Sequence, residues 1–182
     1  HLELSGQIDN TVIMVLSDNG ASQEGGPLGF VNAMGPYNGL PEPIEAKFDR
    51  IDDIGGPDTH SNFPWGWAMT ANTPLRRYKQ NTHGGGVRDP LVVHWPRKMT
   101  QPGLRDQFCH ASDIVPTLLD FIEVRAPETI NGVQQKPIEG ISFASTLTDR
   151  YAQTGKTTQY FEMFGHRGIV HDGWKAVAFH PP

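Results

Sequence analysis

Residues 12–16, VIMVL, form an unbroken apolar run that ends abruptly in Ser17, Asp18, Asn19 and Gly20. Because the run is continuous rather than alternating, it predicts a strand over residues 10–16 covered on both faces, as in a parallel or mixed sheet flanked by helices. Further along, Ile44, Phe48, Ile51 and Ile54 recur at helical spacing, and Gly55-Gly56 supplies a stop signal. PLVVHW, residues 90–95, predicts a second strand closed by Pro96. ASDIVPTLLDFIEV then predicts a helix. Ser112 or Asp113 can cap it, Pro116 falls in the tolerant first turn, and Ile114, Leu118, Leu119 and Ile122 form the apolar stripe. After Gln159, the segments QYFEMF, HRGIVHDG and WKAVAF surround an Asp-Gly turn and predict a small antiparallel sheet. Apart from its one helix, the stretch from Gly20 to about Pro74, including FPWGWAM, is expected as ordered loop. The aromatics Phe63, Trp65 and Trp67 favour order there.

These elements predict an α/β chain. Residues 1–131 read as part of a large mixed-sheet α/β sandwich, and residues 132–182 as a small subdomain carrying the antiparallel sheet. The length of 182 residues allows one domain with a sizeable core, or one domain and an appendage. Fifteen basic against twenty acidic residues give a net charge of −5, which argues against a nucleic-acid partner. No apolar run reaches the roughly 20 residues that span a bilayer, so no membrane partner is expected. The single cysteine, Cys109, cannot close an internal disulfide, and no signal peptide is visible; together these lean toward a cytoplasmic setting. The chain opens without methionine on HLELSGQIDN and stops just after WKAVAF, which leads us to expect a fragment of a longer protein.

Two places carry candidate chemistry. Side chains at the carboxyl end of a strand in an α/β sheet emerge into the crevice where ligands bind. Asp18 and Asn19 there offer a carboxylate and an amide oxygen, a hard pair suited to Ca²⁺ or Mg²⁺; the same SDNG also suits an Asx-type turn. The second place is RRYKQNTHGGGVRDP, where Lys79 and His83 stand just ahead of three glycines and Arg88. Glycines allow close backbone approach, and a lysine beside them can act as a point charge for an anion. A solvated basic patch before a glycine-rich turn, with a packing histidine, is the plainer reading. Cys109 reads as a small packing residue.

The ordered set SDNG after an apolar strand, NTPLRRYK–THGGGVRDPLVVHWP, HASDIVPTLLDFI and PIEGIS resembles the type I sulfatases, specifically the bacterial arylsulfatases, over nearly the whole chain. That resemblance implies the alkaline-phosphatase superfamily fold. It implies that Asp18 and Asn19 supply two ligands of a divalent cation, usually Ca²⁺, and that Lys79, four residues before His83, binds the sulfate ester. Gly84 stands where the family most often has glutamate. The family nucleophile is a formylglycine made from a (C/S)-x-P-x-R motif, which this sequence does not contain. By resemblance, the nucleophile and the remaining metal and sulfate ligands belong to a missing amino-terminal half, so the chain by itself is expected to be inactive. The implied activity is hydrolysis of sulfate esters, the partner being a small sulfate ester or a sulfated glycan. Arg88 is expected to pair with a nearby carboxylate. The alternatives are a phosphodiester or phosphonate hydrolase of the same superfamily, and a non-catalytic calcium- or carbohydrate-binding module with its aromatics stacked on sugars.

Overall fold

In a computed structural model that describes residues 1–180, the first apolar run is strand β1 (Ile13–Leu16). A 3-10 turn over Ile8–Asn10 precedes it, and the Thr11 hydroxyl closes that turn by donating to Gln7 O at 2.8 Å. Two short helices follow, α1 (Met34–Tyr37) and α2 (Ile44–Asp49). The helix expected from Ile44 stops at Asp49 and continues as a 3-10 turn over Ile51–Asp53. It ends at Gly55, whose φ of 87° suits glycine. The FPWGWAM stretch is not loop but helix α3 (Trp65–Ala71). Pro64 sets the extended entry, and its carbonyl accepts the first helical bond from Ala68 N at 3.0 Å. A single turn, α4 (Gly84–Val87), leads into β2 (Leu91–His94).

Strands β1 and β2 form a two-stranded sheet. The expectation of two covered faces fails for β1, where Val15 is 61% exposed and Leu16 is 48% exposed. A two-stranded ribbon needs a second layer to cover its faces, and among the described residues none covers these side chains.

After β2 the chain makes a 3-10 turn at Ala111–Asp113 and enters α5 (Ile114–Phe121). Asp113 sits at the N-cap as predicted, yet its carboxylate does not cap α5. It accepts instead from His110 N at 2.8 Å, Ile141 N at 2.8 Å, Ser112 Oγ at 3.3 Å and Lys156 Nζ at 3.2 Å. Thr117 extends the network, donating to Asp113 O at 2.6 Å and accepting from Phe143 N at 3.0 Å. Gly140 lets the 139–141 segment come this close, since a Cβ there would lie 2.0 Å from Ser112 O.

Strands β3 (Thr129–Ile130) and β4 (Val133–Gln134) form an antiparallel hairpin with Ile130 opposite Val133. A last short helix, α6 (Ser145–Thr148), precedes the expected small sheet of β5 (Thr158–Met163), β6 (His166–His171) and β7 (Trp174–Ala178), in that order. Asn131-Gly132, Phe164-Gly165 and Asp172-Gly173 all have positive φ at both positions. That is the two-residue turn geometry whose twist matches antiparallel strands.

The chain folds as two compact units. The first comprises His1–Val15, Val92–Tyr160 and Ile169–Lys175. Its interior holds Phe143 and Leu147 together with Asp113, Thr117 and Thr146. There Trp95 packs edge-on to Phe121 at 5.1 Å and donates Nε1–H to Asp9 O at 3.2 Å. The second comprises Leu16–Leu91, Phe161–Gly168 and the segment from Ala176. Val31, Ala33, Ala68, Asn81 and Thr82 are buried within it.

Candidate functional site

The SDNG segment, residues 17–20, lies in the second unit and is a turn with its own hydrogen bonds. Ser17 Oγ donates to Asn19 O at 2.7 Å, and Asn19 Nδ2 donates to Gly20 O at 2.9 Å. This use of the Asn19 NH₂ leaves its Oδ1 as an acceptor. Asp18 is exposed, and among the described residues its carboxylate makes no hydrogen bond or ion pair.

The loop carrying Lys79 is laced onto this turn. Lys79 N donates to Ala21 O at 3.1 Å, and Ala21 N donates to Asn72 Oδ1 at 3.1 Å. Asn72 in turn donates Nδ2–H to Arg77 O at 3.0 Å. Gln23 Nε2 reaches Gln80 Oε1 at 2.7 Å, and Lys79 Nζ lies 3.0 Å from Glu24 Oε2. The backbones touch at two glycines, because a Cβ on Gly20 would meet Gly85 O at 1.7 Å. Gly20 therefore lacks a side chain because the glycine run occupies the space, whereas the run itself is packed against its own loop: a Cβ on Gly85 would meet Arg77 O at 1.9 Å and one on Gly86 would meet Asn81 O at 2.1 Å.

The same region holds two acids that the sequence reading did not single out. Glu24 is held below its ordinary carboxylate value, first by its hydrogen bond with Lys79 and then by that with Ser22. Asp89 is pushed up, first by burial and then by the negative charge of Asp18. No local pattern announced Glu24, which meets Lys79 across 55 positions of sequence.

Among the described residues, Asp18 and Asn19 Oδ1 are oxygen donors without internal partners, and the field of Asp18 is felt at Asp89. This arrangement fits a hard divalent cation. Two donors supply only part of the six to eight oxygens that calcium takes. Among the described residues no group of three or more His, Cys, Asp or Glu could hold a metal.

His83 sits at the N-cap of α4 with its ring edge-on to Phe179 at 6.5 Å. Phe179 also stacks on His166 at 4.4 Å and lies 4.8 Å from the Arg77 guanidinium. His83 thus belongs to a packed aromatic cluster. Arg88 is exposed and makes no ion pair among the described residues, contrary to the pairing expected for it. Cys109, in the first unit, is exposed rather than packed. Although the residue is exposed at its surface, its thiol is pushed up, first by partial desolvation and then by the negative charge of Asp113, with Lys156 pulling the other way, so it stays protonated and a poor nucleophile.

The sulfatase family profile matches residues 1–124, and a profile described as N-sulphoglucosamine sulphohydrolase, C-terminal, matches residues 78–181. The chain belongs to the sulfatase family. It is 28% identical over 185 residues to an uncharacterized sulfatase of Schizosaccharomyces pombe, covering 97% of this chain and 31% of that protein. It is 25% identical over 152 residues to the arylsulfatase of Klebsiella aerogenes, covering 82% of this chain and 31% of that enzyme. A 65-residue stretch is 34% identical to arylsulfatase A of Bos taurus. A solved structure titled for the metabolism of multiple glycosaminoglycans by Bacteroides thetaiotaomicron superposes with a TM-score of 0.57 at 20% identity, over 97% of this chain and 29% of that one. The chain therefore spans about a third of the length of the first of these relatives. Among the described residues, no helix is long and apolar enough to cross a membrane.

Proposed function

We propose that this chain is the carboxyl-terminal portion of a sulfatase that hydrolyses sulfate esters, carried either by a small aryl compound or by a sulfated glycan. In this reading residues 1–131 complete a mixed-sheet α/β sandwich, and residues 132–182 form a small subdomain. Exposed Val15, Leu16 and Val92 are the side chains that the rest of such a sandwich would cover. The observation that carries the functional reading is the lacing of the Asp18–Asn19 turn to the Lys79 loop through Ala21, Asn72 and the Gly20–Gly85 approach.

Asp18 and Asn19 Oδ1 would hold a divalent cation, which when bound polarises and orients oxygens of the ester. Lys79 would place its ammonium against a sulfuryl oxygen and offset the charge that grows there as the S–O bond breaks. A formylglycine nucleophile, supplied by a segment outside this chain, would provide the covalent chemistry. Arrangement and charge on this chain thus serve binding and orientation, while the attacking group lies elsewhere.

The test uses the full-length protein with 4-nitrophenyl sulfate. Lys79→Ala should lower kcat/KM by about 100-fold or more, the size of effect seen when one stabilising donor is removed from a reacting oxyanion. Near-normal turnover would remove Lys79 from the site. Preferential turnover of 4-nitrophenyl phosphate or bis(4-nitrophenyl) phosphate would favour the phosphoryl-transfer alternative.

A further inference from the structure

We propose that Glu24 is a positioning residue for Lys79, holding its ammonium where a sulfuryl oxygen is received; this rests on the sulfate-binding reading of Lys79. A lysine ammonium rides on a flexible four-carbon stem with about 2 kcal/mol of rotamer entropy, so using it as a placed charge requires something to fix it. The backbone bond from Lys79 N to Ala21 O fixes the start of the stem and not its end. At the end, Glu24 Oε2 lies 3.0 Å from Nζ.

Glu24 is itself oriented. Ser22 Oγ donates to the same Oε2 at 2.9 Å, and Glu24 N donates back to Ser22 Oγ at 3.3 Å. The carboxylate is therefore held by a local turn that also contains the chain entering from Asp18 and Asn19. One short segment, residues 18–24, then carries both the cation-ligand pair and the anchor of the anion-binding lysine. That coupling would fix the spacing between cation and ammonium, which must contact the same tetrahedral group.

An ammonium has three N–H donors, and Glu24 uses one of them. Two remain to serve an incoming anion, so anchoring and substrate binding can coexist. The side chains are 31% and 37% exposed, and pairs so exposed contribute on the order of 1 kcal/mol or less to stability. A role in holding the fold together does not account for the arrangement, whereas a role in placing Nζ does.

The experiment is steady-state kinetics of the full-length enzyme on 4-nitrophenyl sulfate, comparing Glu24→Gln, Ser22→Ala and Lys79→Ala. With its anchor gone, the ammonium keeps its charge and its attraction for the anion but loses its place. Glu24→Gln should therefore lower kcat by about tenfold while KM stays level or falls, with an unchanged thermal midpoint. Ser22→Ala, which leaves both charges in place, should lower kcat in the same direction by about two- to threefold, and it decides the matter if Glu24→Gln fails to fold. An unchanged kcat in both variants, or a loss expressed only as a raised KM, overturns the positioning role. If Lys79→Ala abolishes turnover while the Glu24 and Ser22 variants keep full kcat, the positioning role alone fails. If Lys79→Ala is itself silent, the sulfate-binding reading fails with it.

Discussion

Lys156 places its ammonium 3.2 Å from Asp113 Oδ1 in the interior of the first unit, where the two side chains are 7% and 1% exposed. Removing two charges from water is expensive, and their attraction offsets this only when the remaining lone pairs are also satisfied. Here they are, because His110 N, Ile141 N and Ser112 Oγ complete the carboxylate. The pair ties three distant pieces of sequence together: the approach to α5, the Gly140–Ile141 segment and the chain before β5.

Breaking this pair from one side should be strongly destabilising. Lys156→Met leaves Asp113 buried and uncompensated, and is expected to cost about 3–5 kcal/mol in urea unfolding of the full-length protein. Asp113→Ala should cost at least as much, because it also leaves the His110 and Ile141 amides without their acceptor. A loss below about 1 kcal/mol for Lys156→Met would show that the pair does not anchor the unit.

Gly20→Ala separates the two loops of the candidate site. Its new Cβ would sit 1.7 Å from Gly85 O, a backbone atom that cannot rotate aside, so the loops must part. A misplacement of about 1 Å in a catalytic constellation can reduce turnover by on the order of 100-fold. We expect a loss of that size in kcat/KM, with far-UV circular dichroism unchanged. Gly66→Ala serves as the control. Its Cβ meets nothing within 4 Å inside α3, and helix propensity predicts unchanged activity with a gain of about 0.5–1 kcal/mol in stability. Equal turnover in the two variants would argue against functional contact between the loops.

Asp18→Asn keeps the size of the side chain while removing its charge. If Asp18 and Asn19 contribute two oxygens to a divalent cation, the calcium concentration for half-maximal activity of the full-length enzyme should rise by about tenfold or more, as ligand charge sets affinity in such sites. Saturating calcium should then recover part of the activity. An unchanged calcium requirement, read by titration after chelation, would place the cation elsewhere.

The sequence revealed local features better than distant ones. The end of β1 at Leu16, just before Ser17 and Asp18, the cap position of Asp113, the strand at Leu91–His94 and the three carboxyl-terminal strands are all readable from periodicity and turn residues. Asn131-Gly132 is a local hairpin signal of the same kind, and it joins β3 to β4. Helix α3 was missed because proline, glycine and two tryptophans in FPWGWAM suggest loop, whereas Pro64 ahead of Trp65 in fact starts the helix. What the sequence could not show was pairing at long range. Nothing near Asp113 points to Lys156, and nothing near Lys79 points to Glu24, since each pair is set by how segments more than 40 residues apart come together. Burial of β1 was misjudged for a related reason. An apolar run shows that a strand is suited to cover and says nothing about whether these residues supply it.

His110 gives the first unit a specific dependence on pH. Its imidazole is held below the ordinary value of 6.5, first by burial and then by the positive charge of Lys156, with Asp113 pulling the other way. The neutral ring is also the form that the structure uses, because Ser112 N donates to Nδ1 at 3.2 Å. As pH falls past the ordinary value, the unfolded chain takes up a proton at this position while the folded ring stays neutral. The unfolded state then binds more protons, so stability must decline with falling pH between the ordinary value and the lower folded one, and hold steady above it. Urea midpoints of the full-length protein, measured at intervals from about pH 5 to 8 around the ordinary histidine value, should show this slope. His110→Asn, which keeps a side-chain acceptor for Ser112 N but cannot titrate, should flatten it. A midpoint that instead rises on acidification in wild type, and not in His110→Asn, would mean that the attraction of Asp113 for a protonated ring outweighs burial and Lys156 together.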